Sequence, residues 1–132
     1  MSNNCPCGSS RSFDTCCEPI ISGKKEAATA QELMRSRYTA FTLANGNYLM
    51  RSHHASTRPN REQKSIEKWA KSVQWVRLTV LNTDAGEIND AIGYVEFKAV
   101  FIENGSLQHI HEKSLFQRQD QKWVYVSGVM YE

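Results

Sequence analysis

A chain of 132 residues with 40% hydrophobic and 23% charged positions has the size of one globular domain with a small appended module. Mean hydropathy is -0.55, and no apolar run approaches the roughly 20 residues of a membrane-spanning helix, which excludes that class. Sixteen Lys and Arg against fourteen Asp and Glu give a net charge of +2, too small a balance to indicate a nucleic-acid partner.

In chain order, Met1-Ser2-Asn3-Asn4-Cys5 holds neither a basic nor an apolar stretch, so no leader is read there. A cytoplasmic, reducing location is expected, with the cysteines as thiols or metal ligands. Residues 5–23 are polar and rich in Cys and Ser, with too few apolar side chains for a core, so this stretch needs a staple. Thr29-Ala30-Gln31-Glu32 fits a capping box, and Leu33, Met34, Tyr38 and Phe41 follow at helical spacing until Asn45-Gly46. Asn47 is placed to cap a second helix through about Ser52. Asn60-Arg61-Glu62-Gln63 opens a third, with Ile66, Trp69, Ala70 and Val73 on one face.

From Trp75 the period changes to two. Val76, Leu78 and Val80 alternate with Arg77 and Thr79 toward a break at Thr83-Asp84-Ala85-Gly86. Residues 91–103 put Val95, Phe97, Ala99 and Phe101 on one side, and Asn104-Gly105 signals a hairpin. The returning strand, 107–118, sets Ile110, Glu112, Ser114 and Phe116 on one face and His109, His111 and Lys113 on the other. A last strand lies near 123–129. Three helices ahead of an antiparallel meander predict an α+β layer with a curved sheet wrapped around the helical stripe, and exclude a βαβ order.

Cys5-Pro6-Cys7 and Cys16-Cys17 place four sulfurs within thirteen positions, a donor set suited to a tetrahedral ion such as zinc. With every coordination place filled by protein, the ion would be structural and its binding free energy would serve as folding free energy. One Zn2+ on Cys5, Cys7, Cys16 and Cys17 is therefore the expected cofactor. Gly8 permits the bend that aims the following amides at sulfur, and Arg11 is in place to moderate the negative charge. The alternatives are two disulfides, which a reducing compartment disfavours, and thiol redox sensing with release of the metal.

Cys5-Pro6-Cys7-Gly8-Ser9 through Cys16-Cys17 resembles the SEC-C motif, a zinc-binding sequence also found at the C-terminus of the SecA translocase motor. Cys17-Glu18-Pro19-Ile20-Ile21-Ser22-Gly23 and Leu33-Met34-Arg35-Ser36-Arg37-Tyr38-Thr39-Ala40-Phe41 resemble the YchJ family of bacterial proteins. Tyr48-Leu49 with Ser52 and His54, Glu112 with Ser114 and Phe116, and Trp123-Val124-Tyr125-Val126 before Gly128 extend that likeness to nearly the full chain. The resemblance implies a SEC-C zinc segment over residues 1–24. Over 25–132 it implies a cone-shaped domain similar to nuclear transport factor two, with helices in the hollow of a bent antiparallel sheet. It also implies a protein or ribosomal partner for the zinc segment, because that of SecA contacts a chaperone and other export machinery. Some members carry a second SEC-C motif, and a homodimer would supply two such segments from one kind of chain.

Domains of this shape commonly enclose a pocket. Glu112 shares its strand face with Ile110 and Phe116, so its carboxylate is a candidate acid or base, or the buried partner of Arg35 or Arg37. His54, at the expected end of the second helix, is the candidate proton-transfer partner of Glu112. His109 and His111 fall on the opposite face, where a solvated role is expected. Trp69, Trp75, Tyr94 and Trp123 are expected in the core or in pocket walls. No GxSxG, Walker A, GxGxxG or HExxH pattern is present. A small-molecule or enzymatic pocket using Glu112 and His54 is the alternative to an interaction role for the zinc segment.

Overall fold

The computed structural model describes residues 4–131. The start of the expected zinc segment at residues 1–3, where the absence of a leader was read, and Glu132 lie outside the described residues. A 3-10 turn at Phe13–Thr15 leads into α1 (Cys17–Ile21), a short helix that buries Cys17, Ile20 and Ile21. α2 (Ala30–Thr42) begins where its capping residues dictate. The Thr29 hydroxyl accepts the Glu32 amide at 3.1 Å, and the Glu32 carboxylate turns back to the Ala28 amide at 3.1 Å. α3 (Gly46–Arg51) is capped by Asn45, whose side-chain oxygen accepts the Tyr48 amide at 3.0 Å. The expected cap, Asn47, lies inside that helix instead, because Ala44 adopts φ 53° and reverses the chain directly after α2. A 3-10 turn at Asn60–Glu62 precedes α4 (Gln63–Ser72). Glu67 of α4 accepts the Gly46 amide at 3.1 Å, and a Cβ at position 46 would collide with that carboxylate.

β1 (Gln74–Ala85), β2 (Ile92–Glu103), β3 (Ser106–Gln119) and β4 (Lys122–Tyr131) form one antiparallel sheet in chain order. Asn104 and Gly105, with φ 52° and 79°, make the hairpin turn that their dipeptide predicts. β1 continues to Ala85, through part of the expected break. A bulge between Trp75 and Arg77 resets its alternation, so Val76 is 43% exposed while Trp75, Leu78 and Val80 pack on the core. Further irregularities lie at Val80/Asn82 and Leu115/Phe116. Bulges bend the strands that carry them, and α2 packs against β1, β2 and β4.

One buried cluster runs from the four cysteines through Ile20, Leu33, Tyr38 and Leu49 to Val95, Ala99, Phe116 and Trp123, so the N-terminal segment and the α+β body share a core. Indole N–H groups in this interior find acceptors: Trp123 donates to the Ala28 carbonyl at 3.1 Å and Trp75 to that of Ala70 at 3.2 Å. Among the described residues, no helix is long and apolar enough to cross a membrane.

Candidate metal centre and cavity

Cys5 and Cys7 sit on a tight turn closed by the Gly8 amide on the Cys5 carbonyl at 3.2 Å, with Gly8 at φ +82°. The Ser9 amide, after the bend, is aimed at Cys7 Sγ as expected, and the Cys7 amide, before it, at Cys5 Sγ. Cys16 and Cys17 approach from the start of α1, and all four sulfurs lie within 4.8 Å of one another. Cys7 and Cys16 are 3.7 Å apart, Cys16 and Cys17 4.0 Å. Sulfurs at the corners of a tetrahedron, each about 2.3 Å from a zinc ion, would be separated by about 3.8 Å, so the donor set fits such an ion in chemistry and in size.

Outer partners surround the sulfurs. Ser9 Oγ lies 3.1 Å from Cys16 Sγ, and Arg11 donates to the same sulfur at 3.6 Å, the role expected of it. Thr39, fully buried on α2, donates to Cys17 Sγ at 3.3 Å, and its oxygen is 3.6 Å from Cys5 Sγ. Arg35, on the same helix, donates to the Cys7 carbonyl at 2.6 Å. Hydrogen bonds with Cys17 and Cys5 hold the Cys7 thiol far below its ordinary range, while those with Cys5 and then Cys7, followed by burial, push Cys17 far above it. A divalent cation would take the place of the protons these sulfurs otherwise share.

The second site is a cavity of about 260 Å³ lined by α2, α3, α4 and the inner face of the sheet. Its aromatic part is ordered by edge contacts of Trp75 with Tyr38 at 5.7 Å and with Trp69 at 5.5 Å. Its polar part combines Arg37, His53, Glu112, Ser114 and Tyr125. Glu112 Oε2 accepts from Ser114 Oγ at 2.6 Å and from the Tyr125 hydroxyl at 3.0 Å. Gly128 makes the room, since a Cβ there would collide with the Glu112 carboxylate. Arg37 stands 4.7 Å above the Tyr125 ring and donates to the Leu49 carbonyl at 2.8 Å and to Ser52 Oγ at 2.7 Å. Burial lowers its pKa to about 10, which leaves it charged at neutral pH. Tyr125 is pushed well above its ordinary range by burial and by the Glu112 charge, and so keeps its proton.

His53 Nε2 is 3.1 Å from Thr57 Oγ1, whose own proton goes to the Val126 carbonyl at 2.7 Å. That arrangement assigns the imidazole proton to Nε2 and leaves Nδ1 as the basic nitrogen. Burial, then the charges of Arg37 and Arg58, lower the His53 pKa to about 4, so the ring is neutral at physiological pH.

Glu112 enters the cavity with Ile110 and Phe116 as strand alternation predicts, but neither expected arginine pairs with it. Arg35 is drawn to the cysteine turn and Arg37 to the end of α3, so tyrosine and serine hydroxyls serve Glu112 instead. His54 does not line the cavity. Directly after the turn at Ser52 that ends α3, His53 forms a short parallel bridge with Tyr125 of β4, the Tyr125 amide donating to the Ser52 carbonyl at 2.9 Å and the His54 amide to the Tyr125 carbonyl at 2.7 Å. Neighbouring side chains on such a segment point to opposite sides, so His53 goes in and His54 Nδ1 meets Ser56 Oγ at 2.8 Å. Trp69 and Trp75 are cavity walls, Trp123 is core, and Tyr94 lies on the outer sheet face 5.2 Å from Lys113 Nζ. On that outer face His111 pairs with Glu96 at 2.7 Å, and His109 is exposed. Sequence reasoning assigns no site role to Tyr125, His53 or Thr39. Only Tyr125 carried a signal there, two places after Trp123 on the last strand.

Residues 29–128 match the family model described as YchJ, middle NTF2-like domain. A UPF0225 protein of Photorhabdus laumondii is 44% identical over 131 residues, covering 98% of this chain and 82% of that protein. The UPF0225 protein YchJ of Shigella dysenteriae is 37% identical over 128 residues, covering 97% of this chain and 84% of its own. The chain belongs to the YchJ family. A solved SEC-C motif containing protein from Rhodopseudomonas palustris superimposes with a TM-score of 0.87 at 30% identity, over 98% of this chain and 99% of that one. Another, from Psychrobacter arcticus, gives 0.81 at 28% identity, over 98% and 83%. The expected α+β, NTF2-like architecture with an N-terminal cysteine cluster is thus the family's, and the cluster coincides with a SEC-C-like segment.

Proposed function

We propose that this YchJ-family chain is a zinc-braced binding protein. One structural Zn2+ on Cys5, Cys7, Cys16 and Cys17 fastens the N-terminal segment to α2, and the cavity on the other side of that helix takes a small molecule. The observation that carries this reading is the double use of α2: Arg35 and Thr39 meet the cysteine segment, while Arg37, Tyr38 and Phe41 line the cavity. At 3.6 residues per turn, Thr39 and Arg37 project about 160° apart. All four cysteines are 4% exposed or less, which favours a brace over direct docking through the sulfurs. The zinc segment, residues 1–24, and the NTF2-like body, residues 25–132, then act as one folding unit. Thiolate ligation calls for reducing surroundings, which a cytoplasmic location supplies.

Exposed Arg11 and Lys24 on the rim of the zinc segment, with Lys25 immediately after it, favour a second role, docking to a protein or ribosomal partner of negative charge. Elemental analysis of protein purified without chelator is expected to give one zinc per chain. Cys16→Ser should lose the metal and, with it, binding of a small apolar probe such as toluene, followed through the indole N–H signals of Trp69 and Trp75. A metal-free preparation with an ordered N-terminal segment, or a Cys16→Ser protein that binds the probe as wild type does, overturns the reading. Charge reversal at Lys24 and Lys25 should abolish partner capture if the rim docks, whereas Glu112→Ala should leave it intact.

A further inference from the structure

Two opposite charges in the cavity are left with unused hydrogen-bonding capacity. Glu112 spends Oε2 on both of its hydrogen bonds, and Oε1 makes none. Arg37 spends Nη1 on both of its donations, and its remaining N–H groups make none. A solvent-sized probe reaches these atoms, because among the described residues no sealed side-chain nitrogen or oxygen lacks a partner. Both residues line the cavity, and no ion pair joins them. Tyr125 stands between them, its hydroxyl on Glu112 and its ring beneath Arg37.

We propose that the cavity binds a neutral, planar heterocycle with an N–H beside a carbonyl, a lactam edge, Glu112 Oε1 accepting from the N–H and Arg37 donating to the carbonyl oxygen. The proposal rests on the small-molecule reading above and supplies its ligand class. A ligand of either net charge would satisfy one of the two residues and be repelled by the other, whereas a neutral edge with one donor and one acceptor satisfies both. His53, neutral at physiological pH, adds no charge to upset that balance. Tyr38, Phe41, Trp69 and Trp75 offer aromatic surface to a flat ring. A volume of about 260 Å³ falls below the roughly 300–1,000 Å³ of drug-sized sites, which restricts the ligand to one or two rings.

The test is an NMR titration of the zinc-loaded full chain with 2-pyridone, benzoate, benzylamine and toluene, read on the indole N–H signals of Trp69 and Trp75. 2-Pyridone should bind at least tenfold more tightly than each of the others, and Glu112→Gln or Arg37→Met should each remove most of that advantage. Preference for benzylamine would mean that Glu112 acts alone, preference for benzoate that Arg37 does, and either overturns the lactam assignment. If 2-pyridone binds no better than toluene, the assignment falls while the small-molecule reading stands. If none of the four perturbs either tryptophan, both fall.

Discussion

The cysteine cluster and the cavity are served by opposite sides of one helix and are built by contrary electrostatic rules. The cluster gathers four donors of one kind, whose full ionisation requires a cation from outside. The cavity holds one positive and one negative residue, each anchored by neutral neighbours, and so balances itself. They also differ in span. The four cysteines fall within thirteen consecutive positions, whereas the polar groups of the cavity come from α2, the stretch after α3, β3 and β4. A site assembled locally can be read from spacing; one assembled across the fold depends on register, which only the folded chain displays.

If α2 couples the two regions, removing zinc should have the largest effect. Chelation at neutral pH should expose the amides of residues 4–23 to exchange and lower Tm by on the order of 10 °C. An unchanged melting curve would make the regions independent. Next in size is the pH response of the cavity. The folded pKa of His53, about 4, lies below the ordinary 6.5, so the unfolded chain binds the extra proton. Its contribution to stability is complete above pH 6.5 and is lost as pH falls from 6.5 toward 4, amounting to about 2 kcal/mol by pH 5. Urea unfolding of wild type and His53→Gln at pH 7 and pH 5 isolates this effect from the titration of the sulfurs, and equal pH dependence in the two proteins would refute it.

Gly128→Ala sharpens the comparison from the cavity side. The new methyl displaces the Glu112 carboxylate from Tyr125 and Ser114, at a cost of about 2 kcal/mol, while zinc content stays at wild-type level. Adding Glu112→Ala should recover part of that loss in thermal unfolding. The smallest expected change is Thr39→Val, which deletes the hydroxyl that donates to Cys17 Sγ. Competition with a chromogenic chelator should show zinc affinity reduced roughly tenfold, with probe binding in the cavity unchanged.

Much of the architecture was legible because its signals are local. The Thr29 and Glu32 cap, the Asn104-Gly105 turn and the inward row Ile110, Glu112, Ser114 and Phe116 all appear where residue chemistry and alternation put them. Every misreading is one of phase or of distant partners. Asn45 rather than Asn47 caps α3 because Ala44 turns early, Val76 faces outward because a bulge follows Trp75, and His53 replaces His54 because the chain pairs with Tyr125. Arg37 looked like a counter-ion for Glu112, but nothing in sequence spacing could reveal that the Leu49 carbonyl and the Ser52 hydroxyl compete for it.

The short parallel bridge between His53 and Tyr125 gives the histidine doublet a meaning beyond either ring. Were this segment to slide one place along β4, as after a single-residue deletion upstream, His54 would take over the inward post. The chamber would then keep an imidazole at that post through an event that ordinarily scrambles a site.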